Sequence, residues 1–235
     1  MPVAGFSVPD YVGLAFYVAA WCAYYAMTER TEAGRRSLNR VMNAHRYAWM
    51  RGLLERDNRI LDANINATLQ NGAAFFASTS LIAIGGALTL LRSTDEVLVL
   101  FGELPLGLAT TRLAWEMKAV GLAVIFVYAF FKFAWSYRLF NYGAILIGAI
   151  PNKGGPEAET EHAAWRAASM NTVAGRHFNR GQRAFFFSLA YLGWFVSAYV
   201  LMAATAAVFY VMWRRQFASD ALAALDRGPW PPPPA

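Results

Sequence analysis

The feature that most constrains this chain is residues 119–150, AVGLAVIFVYAFFKFAWSYRLFNYGAILIGAI. The run is long enough to cross a bilayer, yet it contains Lys132, Arg138 and Asn141. A helix turns by 100° per residue, so Lys132, Trp135 and Arg138 fall within an arc of about 120° and share one face. An ionised side chain in the hydrocarbon costs roughly 2.5–3.5 kcal/mol on insertion scales. That face is therefore expected to turn toward the bundle interior, water or an interface, and the rest of the chain must supply its partners.

Composition extends the point to the whole chain, which is 57% hydrophobic and 15% charged, against about 25% charged residues in soluble domains. The apolar residues come in blocks, so the fold class expected is all-α, an integral membrane helical bundle of four transmembrane helices with a cytoplasmic amphipathic helical extension. Residues 1–228 read as a single membrane domain with spans at 11–27, 72–91, 119–137 and 184–213 and a cytoplasmic helical connection at 28–71. The proline-rich tail, 229–235, reads as disordered. The start, MPVAGFSVPD, lacks the basic stretch of a cleaved signal, so the first span is expected to be retained.

The connection 28–59 carries eight Arg and four acidic residues, 92–118 three basic and four acidic, and 151–183 five basic and three acidic. The basic excess places the first and third in the cytoplasm, in a multi-pass protein of the cell inner (plasma) membrane with both termini outside the cytoplasm; Arg214 and Arg215 run against this arrangement. The net charge of +6 then reads as a topology signal and as contact with the lipid bilayer and its anionic headgroups, and no nucleic-acid motif accompanies it. The single cysteine, Cys22, is expected to be a small buried hydrophobe, with no paired thiol for a disulfide, redox motif or metal site.

The connection 28–71 has apolar residues at helical spacing and should be a helix or helix pair running into the second span, with 60–91 one long helix. Along it Arg59, Asp62, Asn66 and Gln70 form one polar stripe, expected to face inward. If the second and third spans are neighbours, Asp62 comes level with Arg138, and an Asp62–Arg138 pair is the sharpest contact expected. Arg59, Asp62, Asn66, Gln70, Lys132, Trp135, Arg138 and Asn141 thus form a candidate polar network, read either as a staple between helices or as the lining of a hydrated path. The segment VLVLFGELPLGLATT is too broken to cross and reads as interfacial or re-entrant. The stretch PNKGGPEAETEH reads as a solvated loop, followed by a short helix over 163–176.

A second group is basic. Arg46, Arg51, Arg176, Arg180 and Arg183 could ring the cytoplasmic end with Lys132 and Arg138, either as topology signal and lipid-headgroup contacts or as an anion-selective vestibule. The three histidines, His45, His162 and His177, sit outside span centres, which argues against a haem, and no metal or other cofactor is expected. No nucleophile elbow, P-loop or dinucleotide fingerprint is present, so the chain is not expected to be an enzyme. The small-residue run FFASTSLIAIGGALTLL permits close helix approach, within the chain or between subunits of a homo-oligomer.

The runs RYAWMRGLLERDNRILDANINATLQNGAAFFASTSLIAIGGAL, FKFAWSYRLFNYGAILIGAIP and GRHFNRGQRAFFFSLAYLGWF resemble the bacterial and plant membrane proteins grouped as domain of unknown function 599. The resemblance implies a four-span membrane fold and no catalytic residues. Two functions of different class are open on sequence grounds. One is a homo-oligomeric pore for ions or small solutes with a basic, anion-leaning vestibule. The other is a non-catalytic accessory subunit of a larger membrane complex, partnered by other membrane proteins.

Overall fold

A computed structural model describes residues 5–103, 111–151 and 156–226. These residues are helical throughout, with no strand: α1 Val8–Glu29, α2 Glu32–Arg35, α3 Leu38–Gly52 closed by a 3-10 turn, α4 Ile60–Arg92, α5 Thr94–Glu103, α6 Arg112–Gly148, α7 Glu157–Leu192, α8 Ala198–Phe217 and α9 Asp220–Asp226. The Pro-rich tail and the loop around Lys153 lie outside the described residues.

Three long helices set the frame. α6 packs along both α4 and α7, and each of the three is about 50 Å long or more. Asn66 and Gln70 of α4 meet Phe140 and Asn141 of α6, while Leu90 meets Trp115, so α4 and α6 are antiparallel. Ser136 of α6 bonds to Ala174 and Lys118 to Trp194, so α6 and α7 are antiparallel as well. Small residues make the close contact possible. Gly181 of α7 lies so near the Phe133 ring that a Cβ there would come within 2.7 Å of it, and Ala167, Ala168, Ala174 and Ala184 line the same helix fully buried.

α1 and α8 cover one end of this frame. Asp10 bonds to Trp194, Tyr17 to Phe187, and Glu29 to Arg180 and Arg183, which makes α1 antiparallel to α7. Gly13 faces Ala198 and Leu201, and the Tyr24 hydroxyl donates to the Met212 carbonyl, so α8 runs parallel to α1. The principal core lies between these elements: Tyr17, Tyr24, Leu122, Phe126, Phe187, Tyr191, Trp194 and Leu201. Beyond the end of α1, the first half of α4, the second half of α6 and the first half of α7 project as an extension against which α3 packs, burying Met50, Leu53, Ile147 and Ala167.

The structure corrects several expectations. The apolar run 184–213 is not one span: α7 ends at Leu192, a 3-10 turn occupies Gly193–Phe195, and Ser197 caps α8 by accepting from the Val200 amide. The break is held from outside the run. Lys118 Nζ donates to the Trp194 carbonyl at 2.8 Å, and the Trp194 indole donates to Asp10 at 2.8 Å. As a result Ser7 and Ala218 lie at opposite ends of the bundle. Arg214 and Arg215, which opposed the expected topology, fall at the same end as Arg180 and Arg183.

The acidic stretch from Glu157 is not loop but the first turn of α7, where Glu157 and Glu159 complement the helix dipole. The helix of 163–176 is therefore part of a 36-residue one. The helix pair before the second span is interrupted at 56–59, where Arg56 turns extended. Cys22 is exposed rather than buried. Two helices, α4 and α6, are long and apolar enough to cross a membrane, and only 11% and 33% of their apolar stretches are buried within the chain. Low burial separates them from the core helices of soluble proteins, whose apolar faces are covered.

Candidate functional site: a basic cavity at one end of the helices

The polar stripe of α4 does face inward, with Asp62 and Asn66 fully buried. Its partners are not the cations of α6. Asp62 Oδ1 accepts from the Trp49 indole at 2.7 Å and from Arg56, and Arg59 donates to the carbonyls of Ile150 and Pro151 at 2.6 and 2.8 Å. Asn66 donates to the Phe140 carbonyl at 3.0 Å, and Gln70 to Asn141 Oδ1 at 2.9 Å. The expected Asp62–Arg138 pair is absent. Arg138 and Phe140 are two residues apart on one helix, about 200° around its axis, so the face that meets α4 cannot also present Arg138.

Arg138 instead stacks on its own helix neighbour, with Nε bonded to the Tyr142 hydroxyl at 2.9 Å. Lys132 lies 5.1 Å from the centroid of Tyr128, and Trp135 is half exposed with its edge toward His177. Lys132, Trp135 and Arg138 thus share the outer face of α6, while Arg59, Asp62, Asn66, Gln70 and Asn141 close the α4–α6 seam. Lys132 stands near His177, whose basicity is lowered by burial and by the charges of Lys132, Arg180 and Arg176. These groups mark the level at which α1 ends.

The basic residues converge at that level. The end of α1 brings Glu29 to α7, where Arg180 grips both carboxylate oxygens and Arg183 Nη2 donates to Glu29 Oε1 at 3.1 Å and to Thr28 Oγ1 at 3.2 Å. Arg183 also stacks on Tyr24 and Tyr25, 5.2 and 5.5 Å from their centroids. Burial works against the Glu29 charge, but the bonds and charges of Arg180 and Arg183 outweigh it and hold the carboxyl below the usual range. Arg46 packs its guanidinium on Gly175, where a Cβ would come within 2.8 Å of it, and bonds to Asn43; burial lowers its basicity. Arg51 is not in the group, since it reaches Glu161 at 3.6 Å on the exposed side of the extension.

Between the end of α1, the start of α3 and the middle of α7 lies an open cavity of about 280 Å3, lined by Glu29, Asn39, Arg40, Thr172, Arg176 and Arg183 among others. A narrower recess of about 40 Å3 continues beside Arg183 toward Tyr24, Phe186, Met212 and Arg215. Arg183 is 6% exposed, and neither its Nε nor Thr172 Oγ1 has a hydrogen-bond partner among the described residues. Sequence reasoning selected Arg176, Arg180 and Arg183 and missed Glu29, Arg40 and Thr172. Only the pairing of α1 with α7 and of α3 with α7 reveals these, and no local pattern announces it. Among the described residues no group of His, Cys, Asp and Glu is placed to hold a metal ion.

The sequence profile of the family described as Protein of unknown function, DUF599 matches residues 12–221. The chain belongs to this family. The match runs through the helices that line the cavity, α1, α3 and α7. No curated protein and no solved structure matches the chain.

Proposed function

We propose that this is a membrane protein of five crossings whose basic end is a cytoplasmic, anion-leaning vestibule for ions or small solutes. The crossings run through α1, α4, α6, α7 and α8; the charge-free part of α7, 184–192, is too short alone, so its crossing takes in Arg180 and Arg183, both paired with Glu29. Residues 11–28, 73–91, 119–131 and 184–213 contain no Asp, Glu, Lys or Arg, and Phe75, Ile82, Val124, Phe131 and Tyr199 stand outward on them. In water such a surface would be costly, and in acyl chains it costs nothing. Five crossings put the N-terminus outside and the C-terminus inside, with Arg30, Arg180, Arg183, Arg214 and Arg215 on the inner side as the positive-inside tendency requires.

The observation that carries the vestibule is the cavity itself. It gathers Arg40, Arg176 and Arg183 against one carboxylate, Glu29, that is already bound by two arginines. A path along the α4–α6 seam has less support, because Asn66 and Gln70 spend their amides on α6. Homo-oligomerisation is supported by α4, where Gly85 and Gly86 have open space beside them and would accept a close helix. The same strip favours the second reading, a non-catalytic subunit seated against another membrane protein. Reconstitution into liposomes tests the proposal. It expects chloride or phosphate flux that falls in Arg40→Gln and Arg176→Gln, and a discrete oligomer in mild detergent. Absence of flux for every common anion would refute conduction.

A further inference from the structure

The geometry points to a binding site for a phosphate group, as inorganic phosphate or a phosphomonoester dianion, in the cavity between α1, α3 and α7. The inference deepens the vestibule reading and rests on it for the site's place at the membrane edge.

Charge and volume suit that ligand. Arg40, Arg176 and Arg183 line the cavity with Glu29 as the acidic residue, a surplus of two positive charges that one dianion neutralises. Its volume of about 280 Å3 takes a phosphate with its immediate substituent and lies at the small end of ligand pockets. All the lining cations are arginines. Their planar forks engage two oxygens at once, which phosphate offers and a halide does not, while a carboxylate would leave half the surplus charge unmatched.

Two residues of the lining also bury a donor. Arg183 Nε and Thr172 Oγ1 are buried without a partner among the described residues. A buried N–H left in that state costs free energy, which a ligand oxygen recovers once the side chain turns toward the cavity. The third wall is the first turn of α3, a 15-residue helix. Ser37 stands at its N-cap but spends its hydroxyl on the Gly34 carbonyl, and the Asn39 amide already reads an oxygen, Gln216 Oε1. With the Asn39 amide already paired, the guanidinium groups that line the cavity are the ones left to hold phosphate oxygens.

The test uses the full chain. Inorganic phosphate is titrated calorimetrically into protein in detergent micelles, with chloride as the comparison anion. In parallel, protein released from nanodiscs of phosphatidylcholine and phosphatidic acid is examined by native mass spectrometry for retained lipid. Arg176→Gln alters an exposed arginine with no ion pair among the described residues, so the fold should persist. Arg183→Gln removes the buried donor, and Arg166→Gln on the outer side of α7 is the control. Saturable phosphate binding is expected, weakened about tenfold or more by Arg176→Gln and Arg183→Gln and unchanged by Arg166→Gln. Retention of phosphatidic acid with the same variant dependence, and no binding of free phosphate, would assign the phosphate to a lipid. Neither ligand binding, chloride competing on equal terms, or indifference to both variants would overturn the site. Phosphate binding without flux would leave the site standing and refute conduction, and flux without phosphate binding would do the reverse.

Discussion

Glu29→Gln is the most informative single change, because one carboxylate neutralises two arginines at the point where α1 meets α7. The side chains of Arg183, Glu29 and Arg180 are 7%, 20% and 28% exposed. Removing one partner of a fully buried pair costs about 3–5 kcal/mol, and an exposed pair is worth about 0.2–1 kcal/mol. Partial burial places this cluster between the two, at about 2 kcal/mol, or a roughly 30-fold shift in the folding equilibrium. Arg183→Met in the same chain removes the stranded buried charge, so the double variant should recover about half of the loss or more, with a coupling energy of about 1–2 kcal/mol. The assay is denaturant or SDS titration of helicity in micelles for the four members of the cycle. The pH dependence has a defined sign. The folded carboxyl titrates below its ordinary value of 4.5, so the stabilisation is complete above that value and is lost as pH falls through the folded one. Glu29→Gln should lose that share of the slope over the window. A single variant as stable as the parent, or strictly additive effects, would refute the cluster as an energetic unit.

Other expectations follow from the packing. Gly181→Ala should destabilise by about 1–3 kcal/mol, because the Phe133 ring cannot yield to a Cβ within 2.7 Å, whereas Gly148→Ala, with nothing near it, should be neutral or better in the same titration. Lys118→Met should cost about 1.5–3 kcal/mol and speed amide exchange over residues 193–197, since it strips the Trp194 carbonyl of its charged donor. His177 should titrate below 6.5 by NMR. Because the unfolded form binds the proton more readily, stability should fall as pH drops from 6.5 toward the folded value, and His177→Gln should abolish that slope.

Much of the frame is legible in the sequence because it depends on local signals. The long helix from Ile60, the inward stripe of Asp62, Asn66 and Gln70, and the basic clustering of Arg176, Arg180 and Arg183 all follow from spacing along one helix. What escapes is set by distant residues. The run 184–213 is apolar throughout, so periodicity cannot show a reversal inside it; the turn depends on Lys118 and Asp10, 76 and 184 residues from Trp194. The Asp62–Arg138 pairing fails for a comparable reason. The break at 56–59 returns Arg56 to Asp62, and the α4 contact face of α6 runs through Phe140 and Gly143. Glu29 closes the basic cluster only because α1 lies against a helix about 150 residues away.

The reversal at Gly193–Phe195 is what gathers every arginine-rich end on one face, and sidedness of the chain tests it most directly. Single cysteines introduced by Ser7→Cys and Ser219→Cys into a Cys22→Ala background can be labelled with a membrane-impermeant maleimide in intact cells and in inverted vesicles. Ser7→Cys should react only from outside and Ser219→Cys only from the cytoplasmic side. Labelling of both positions from the same side would contradict the arrangement and remove the basic vestibule with it.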